Sequence, residues 1–182
     1  SFTIISCAVA VIRLGLVPVF VDVEKDILCI DPAEIERAVT SNTSAILVVH
    51  IFGHPASMDE ILEISHRYNL KIIEDVAEAH GAEYKGRRCG SLGDIATFSF
   101  YANKLVTTGE GGAVASNHIE YIERARSYIN LCFDKDRKFV HSDVGYNFRM
   151  GALQAALGSS QMNRFDDIVK QKIFLGEIYR SC

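Results

Sequence analysis

The chain has 182 residues and a net charge of -4, with 48% hydrophobic and 23% charged residues. These values are typical of an ordinary soluble globular protein with one sizeable core. Proteins that bind nucleic acids carry clustered positive charge, so the acidic balance argues against a nucleic-acid partner. A short basic group, formed by Lys85, Arg87 and Arg88, is interpreted as part of a solvated loop.

The five cysteines are widely spaced, and none belongs to a C-x-x-C pair. This spacing favours buried free thiols in a reducing compartment over a disulfide framework or a zinc site. No apolar stretch approaches the roughly 20 residues that cross a bilayer. We therefore expect a cytoplasmic protein without a membrane partner. The cysteines are Cys7, Cys29, Cys89, Cys132 and Cys182.

Short apolar strands alternate with amphipathic helical segments along the chain, which predicts an α/β fold with a mostly parallel sheet. The segment Pro18 to Val23 is rich in β-branched residues and predicts a strand. Asp31 and Pro32 then supply the N-cap and first position of a helix that extends to about Thr40. The continuous apolar run from Ser44 to Val49 predicts a central strand, buried on both faces.

The next helix is predicted to begin after Ser57, which forms a capping box with Glu60. A strand from Leu70 to Ile73 follows and ends abruptly in Glu74 and Asp75. Carboxylates at this position either terminate the strand or belong to a site.

Further along the chain, the segment from Asp94 to Tyr101 alternates like a half-buried strand, with Ser99 on one face. The sequence GEGG at 109–112 indicates a tight turn before a short strand at 113–116. Three helices are then predicted, beginning near Asn117 and covering 153–161 and 165–173.

Two charged residues lie where this fold places its ligands. Open α/β sheets bind ligands beyond the carboxyl ends of their strands, and Asp75 and Lys104 both follow predicted strands. Pyridoxal phosphate (PLP) requires a lysine that forms a Schiff base and an acid beside its ring nitrogen. The pair therefore suggests PLP chemistry, with a solvated lysine and a strand-terminating aspartate as the alternative.

Four segments of the sequence resemble one family of enzymes: PVFVDV, VVHIFGHPASMDEI, IIEDVAEAHGAEYKGRRCGSLGDIATFSFYANKLVTTGEGG and VGYNFRMGALQAALGSSQM. They are similar to the DegT/DnrJ/EryC1/StrS sugar aminotransferases, a branch of the fold-type I PLP enzymes, and they occur in the order found there. The resemblance implies a fold-type I large domain, with a mostly parallel sheet flanked by helices.

The ends of the chain indicate that this domain is incomplete. The sequence begins without Met in an apolar run and stops inside a helical pattern. We expect residues 1–182 to form a partial PLP-binding large domain that lacks an N-terminal segment and the small C-terminal domain. The family's phosphate-binding Gly-Thr loop would lie in the missing N-terminal part, so we expect these residues alone to bind cofactor weakly and to show no turnover.

The resemblance also implies a role for particular residues. Lys104 matches the lysine that forms the Schiff base with PLP, and Asp75 matches the partner of the pyridinium nitrogen. Glu78 matches a position, Gln or Glu, that lies against the cofactor ring near its phenolic oxygen. Ser99 matches a hydroxyl donor to the cofactor phosphate.

The remaining candidates are less direct. Asn147 resembles a residue that reaches the phosphate in the neighbouring subunit's site, which implies a homodimer with shared active sites; Arg149 is the competing candidate for that role. His80 either contacts substrate or is structural. His50 and His54 flank a turn without an acid at ligand spacing, which favours a structural role over a metal site.

Motifs such as FSFYANK, CGSLGD and NLCF are most similar to the perosamine-synthase-like branch. This similarity implies transfer of an amino group from an amino acid, expected to be glutamate, to a nucleotide-linked 4-keto-6-deoxy sugar. One rival is a sugar 3-dehydratase of the same family, which uses pyridoxamine phosphate (PMP) and has His in place of the lysine. The presence of Lys104 argues against this rival. Another is a non-catalytic PLP-binding regulator. A nucleotide-binding module without PLP is disfavoured, because neither of the Gly-rich phosphate-binding motifs, G-x-x-x-x-G-K-[ST] and G-x-G-x-x-G, stands between a strand and a helix.

Overall fold

The computed structural model describes residues 2–134, 136–137 and 139–181 and confirms the predicted α/β fold. The chain separates into two compact units, Ser1–Phe98 and Ser99–Cys182. The assignment of residues 1–182 to a single partial domain stays a prediction. Cys29, Cys89 and Cys132 are buried free thiols as predicted, whereas Cys182 lies outside the described residues.

The first unit alternates helices and strands. A single 3-10 turn, Ile51–Gly53, follows its first strand. A two-stranded antiparallel hairpin precedes its last strand, which extends one residue into the second unit. The elements are α1 (Ser6–Arg13), α2 (Pro32–Ala38), β1 (Ala45–Val49), α3 (Met58–Tyr68), β2 (Lys71–Asp75), β3 (Glu83–Tyr84), β4 (Arg87–Arg88) and β5 (Ile95–Ser99).

Three parallel strands form the sheet of this unit, with β2 between β1 and β5. The register pairs Val49 with Asp75 and Asp75 with Thr97, so the carboxyl ends of the three strands meet at one edge. The prediction that β1 is central is wrong for the described residues, because β1 lies at the edge of their sheet and has alternating rather than continuous burial. A continuous apolar run therefore did not require burial of both faces here.

The core of the first unit lies between this sheet and α3. Met58 and Ile61 of α3 are fully buried. Val48 of β1 is also fully buried, and Ile72 of β2 is 1% exposed. Each such side chain stabilises the fold by about 1.5–3 kcal/mol relative to an exposed one. This packing fixes β1 and β2 against α3 and so determines the position of the residues that follow the two strands.

Local helix signals had mixed outcomes. The Asp31 side chain accepts a hydrogen bond from the Ala33 backbone N–H at 2.8 Å, which confirms the predicted start of α2. The predicted capping box at Ser57 is wrong, because the Ser57 side chain forms no cap hydrogen bond. Its hydroxyl instead donates to Glu24 Oε1 at 2.7 Å, a partner 33 residues away in sequence.

Two predicted strands differ from the structure. The segment 18–23 forms no strand, and its one ladder contact is an antiparallel bridge between Val23 and Ile30. Strand propensity without a neighbouring strand to pair with does not produce a strand. The strand predicted to reach Tyr101 ends at Ser99, because the chain turns there and the Lys104 N–H donates to the Tyr101 carbonyl at 3.0 Å.

The second unit contains one short strand and three helices, close to their predicted positions. Its longest helix has 17 residues. In the described ranges, no helix is both long and apolar enough to cross a membrane. The elements are β6 (Gly112–Ala115), α4 (Ile119–Ile129), α5 (Ala152–Met162) and α6 (Phe165–Ser181).

Candidate cofactor site

Asp75 is the last residue of β2 and lies half-buried at the edge where the parallel strands end. Its Oδ1 accepts a hydrogen bond from the Ala77 N–H at 2.9 Å. Its Oδ2 accepts one from the Cys7 thiol at 3.3 Å. A carboxylate has about four acceptor sites, so Asp75 retains capacity for a further donor.

The contact between Cys7 and Asp75 was not predicted from the sequence. Cys7 belongs to α1 and is half-buried. Burial, followed by the charge of Asp75 and the hydrogen bond to it, raises the pKa of the Cys7 thiol to about 11. The thiol is therefore protonated at neutral pH and acts as a neutral donor to the carboxylate.

Alkylation tests this contact. In the complete protein at pH 8, iodoacetamide is expected to modify Cys7 at least about tenfold more slowly than a free thiol, because few Cys7 side chains are ionised. Asp75→Asn removes the carboxylate charge at nearly constant shape and should speed the reaction. Mass spectrometry identifies the modified residue, and Cys7→Ala supplies the blank. Modification of Cys7 at the free-thiol rate would contradict the contact.

Glu78 is exposed and is held by the turn that follows β1. Its Oε2 accepts a hydrogen bond from the Phe52 N–H at 2.9 Å. Phe52 has φ 52° and ψ 22°, a left-handed conformation that costs an L-residue about 1–2 kcal/mol. The strained turn thus directs a main-chain donor at the residue predicted to lie against the cofactor ring.

Glu74, beside Asp75 in β2, is fully buried together with His50. The Glu74 carboxylate accepts hydrogen bonds from the N–H groups of Gly90, Leu92 and Gly93 at 2.6–2.8 Å. Its Oε2 lies 3.0 Å from His50 Nε2. Because His50 Nδ1 accepts from the Ala56 N–H at 3.1 Å, Nε2 carries the proton and donates to Glu74.

This network fixes the charge of Glu74. Burial alone would raise its pKa, but the hydrogen bonds from His50, Gly93, Gly90 and Leu92 outweigh burial and lower the pKa of Glu74 below its ordinary value. The ionised carboxylate ties the 90–93 loop and the segment after β1 to the end of β2. Glu74 therefore supports the strand end that presents Asp75.

Ser99 and Lys104 belong to the second unit and are joined through the main chain of Tyr101. Ser99 Oγ accepts from the Tyr101 N–H at 3.3 Å, and the Lys104 N–H donates to the Tyr101 carbonyl at 3.0 Å. Both side chains are half-buried. Within the described part of this unit, no carboxylate forms a salt bridge with Lys104. One turn, at Tyr101, therefore holds both the residue that carries the amine, Lys104, and the residue that carries the hydroxyl, Ser99.

Asn147 and Arg149 are exposed and hydrogen-bonded to each other. Asn147 Oδ1 accepts from Arg149 Nε at 3.3 Å and from Nη2 at 3.1 Å. The main chain of Asn147 bridges to Asn130. The two competing candidates of the sequence therefore form one polar group, and the role of either stays a prediction.

The histidines occupy separate positions. The His80 ring lies 6.0 Å from the Phe98 ring, centroid to centroid. His54 Nδ1 donates a hydrogen bond to the Pro55 carbonyl at 2.8 Å. Among the described residues, no group of His, Cys, Asp and Glu is arranged to hold a metal ion.

The first unit contains Asp75 and Glu78, which have different hydrogen-bond partners. In the second unit Ser99 and Lys104 are joined through the main chain of Tyr101, whereas Asn147 is hydrogen-bonded to Arg149. Sequence reasoning missed Cys7, Glu74 and Phe52. For Glu74 a signal was available, because it shares a strand face with Ile72 two residues earlier. For Cys7 and Phe52 the partners lie far away in sequence, and no local pattern marks them.

The fold matches that of solved PLP-dependent aminotransferases. The chain superposes on DesV from Streptomyces venezuelae with a TM-score of 0.85 and 40% identity, covering 91% of this chain and 44% of that one. The putative sugar aminotransferase Spr1654 from Streptococcus pneumoniae, in its PMP form, gives a TM-score of 0.91 at 25% identity, covering 98% of this chain and 51% of that one. The α/β sheet is thus that of the PLP-dependent transferases.

The chain belongs to the DegT/DnrJ/EryC1/StrS aminotransferase family, whose model matches residues 1–182. It is 43% identical over 167 residues to a GDP-perosamine synthase from Caulobacter vibrioides, covering 92% of this chain and 45% of that protein. The chain spans about half the length of the curated relatives it matches.

Aminotransferases of this family use PLP, and the described residues fit that group. PLP requires an amine for covalent attachment, an acid beside its ring nitrogen and donors for its phosphate. In the second unit Lys104 would offer the amine, and in the first unit Asp75 would offer a carboxylate with acceptor capacity left. The Ser99 oxygen accepts one hydrogen bond and keeps its own O–H to donate.

Proposed function

We propose that the complete protein is an aminotransferase that uses PLP to move an amino group from an amino acid, glutamate in our proposal, to a nucleotide-linked 4-keto-6-deoxy sugar. The observation that carries the proposal is the family match over all of residues 1–182. That match includes Asp75 at the end of β2 and Lys104 in the turn after β5. The GDP-perosamine synthases among its relatives support the choice of sugar.

In this proposal Lys104 has two tasks. Its Nζ would hold the cofactor covalently, and the same amine would move a proton to and from the reacting carbon. When bound, PLP supplies the electron sink for this chemistry. Lys104 is suited to both tasks because its main chain is fixed by Tyr101 and, among the described residues of its unit, no carboxylate forms a salt bridge with its amine.

The remaining residues hold and orient the cofactor. Asp75 places a negative charge beside the ring nitrogen, and Cys7 and Ala77 fix the direction of its carboxylate. Glu78, whose carboxylate accepts from the Phe52 N–H, would lie against the ring. Ser99 would donate its hydroxyl to the phosphate and so keep the cofactor aligned with Lys104.

The proposed assembly is a cytoplasmic homodimer. Asn147, hydrogen-bonded to Arg149, would reach the cofactor phosphate in the neighbouring subunit's site. The exposure of both side chains is consistent with that role. We propose no role for nucleic acid or membrane.

Borohydride reduction tests the proposal. The complete protein is incubated with PLP, reduced, digested and analysed by mass spectrometry, and the cofactor mass is expected on Lys104. In parallel, glutamate and a 4-keto-6-deoxy sugar nucleotide are supplied, and an amino sugar with 2-oxoglutarate is the expected product. Cofactor on another residue refutes the role of Lys104. A deoxygenated sugar would indicate the dehydratase, and a labelled protein that releases no keto acid from any amino donor would indicate the regulator.

A further inference from the structure

The loop that carries Lys104 is closed by hydrogen bonds at its base. The Thr108 N–H and the Thr107 hydroxyl both donate to the Phe100 carbonyl, at 2.9 and 3.1 Å. The Phe100 N–H donates to the Gly111 carbonyl at 2.9 Å. The position of Lys104 therefore depends on how residues 107–111 are held.

Two glutamines of α5 hold that segment from outside the loop. Gln161 Oε1 accepts from the Thr107 N–H at 3.0 Å, and Gln161 Nε2 donates to the Thr107 carbonyl at 2.7 Å. One side-chain amide thus satisfies both main-chain groups of one loop residue. Gln154 Nε2 donates to the Glu110 carbonyl at 2.9 Å, while its Oε1 accepts from the Gly151 N–H at 3.0 Å at the start of α5.

Between the two glutamines, Gly158 lets the loop approach the helix closely. A Cβ built at Gly158 would lie 2.9 Å from the Thr108 methyl carbon. Thr108 is 5% exposed and its neighbour Val106 only 1%. Since residues 154, 158 and 161 share one face of a helix, α5 presents a continuous surface to the loop. We call this surface, formed by Gln154, Gly158 and Gln161, the α5 clamp.

We infer that Gln161, supported by Gln154 and Gly158, is a positioning residue for the Lys104 amine. The inference rests on the proposed function, because it takes Lys104 to be the reactive lysine. Gln161 touches neither Lys104 nor, in this proposal, any cofactor atom; it acts through the main chain of Thr107. Loss of the α5 clamp leaves the half-buried N–H and C=O groups of Thr107 without these partners and frees the loop, so Lys104 samples positions away from the reacting carbon.

The test compares Gln161→Ala and Gln161→Glu in the complete enzyme with Gln171→Ala, an exposed glutamine of α6. Hydrogen exchange of the cofactor-free protein is measured first. In Gln161→Ala the Thr107 amide, which loses its acceptor, is expected to exchange about tenfold faster, while Gln171→Ala leaves it unchanged. Gln161→Glu keeps an acceptor for the Thr107 N–H but loses the donor to the Thr107 carbonyl, so it should change the exchange of this amide less than Gln161→Ala does while still lowering turnover.

Turnover is then measured per borohydride-labelled Lys104, which corrects for misfolded protein. We expect kcat to fall about tenfold to a hundredfold in Gln161→Ala, because a misplaced lysine transfers protons poorly. The KM for the amino donor should stay within about twofold, since no substrate contact is lost. A purely structural role would reduce the yield of labelled enzyme but leave its kcat unchanged.

Two glycine variants give an independent check. Gly158→Ala places a methyl group against Thr108 and should reproduce the faster exchange and lower kcat. Gly176→Ala in α6 has nothing within 4 Å and should match the unsubstituted enzyme. An unchanged kcat per labelled lysine in the Gln161 variants overturns the inference, whatever the exchange shows. Failure to label Lys104 in the unsubstituted enzyme is a different result, since it refutes the proposed function itself.

Discussion

Replacing Lys104 with alanine in the complete enzyme is expected to lower turnover about a thousandfold or more. The substitution removes the Lys104 Nζ, which provides both the covalent attachment and the proton-transferring base. Binding of PMP should remain possible, because its contacts do not require a covalent bond to lysine. Steady-state assays with glutamate and the keto-sugar nucleotide measure the first effect, and equilibrium dialysis with PMP measures the second.

Lys170→Ala is the matched control, since Lys170 is a lysine of α6 with a side chain 78% exposed. It should leave both turnover and PMP binding unchanged. If Lys104→Ala kept near-normal activity, the assignment of Lys104 would be wrong. Retained PMP binding in an inactive Lys104→Ala variant excludes misfolding as the reason for inactivity.

Glu74→Gln is expected to lower the free energy of unfolding by about 3 kcal/mol or more. The amide keeps one acceptor oxygen, which can serve Leu92 and Gly93. Its NH₂ group would face the donors of Gly90 and His50, which then have no acceptor in a fully buried site. Urea-induced unfolding of the complete protein measures the loss.

The pH dependence of stability gives a second readout for Glu74. A carboxyl group whose pKa is lower in the folded state stabilises the fold above its ordinary pKa, and that stability is lost as the pH falls through the lower, folded value. Glu74→Gln should remove this part of the acid dependence. Glu63→Gln, at a carboxylate 71% exposed on α3, should change neither stability nor its pH profile appreciably. Equal effects of the two substitutions would contradict the role of the buried network.

The parts of the fold that the sequence predicts well are those with local causes. Asp31 caps α2 because its donor is only two residues away. The strands β1 and β2 form at short apolar runs that follow the helices α2 and α3. By contrast, the strand predicted at 18–23 depended on a partner strand, and the cap predicted at Ser57 lost its hydroxyl to Glu24. Distant partners of this kind leave no periodic signal in the sequence.

The candidate site shows the same division. The strand-end position of Asp75 follows from the strand pattern, whereas the strand of Ser99 was expected to continue to Tyr101. The roles of both residues follow from resemblance to the family. The contacts that hold the site do not. Cys7 reaches Asp75 across 68 residues, and Gln161 reaches Thr107 across 54. In the sequence Gln161 was only one residue of a helical face, and nothing marked its amide as the partner of a loop.

The turn at Phe52 has a consequence for how this position can change. Its contact with Glu78 is made by a main-chain N–H, which every residue except proline possesses. The left-handed backbone favours glycine or asparagine, whereas the side chain itself is 74% exposed. Evolution can therefore replace the aromatic ring at position 52 with another side chain and still preserve the main-chain hydrogen bond to the Glu78 carboxylate.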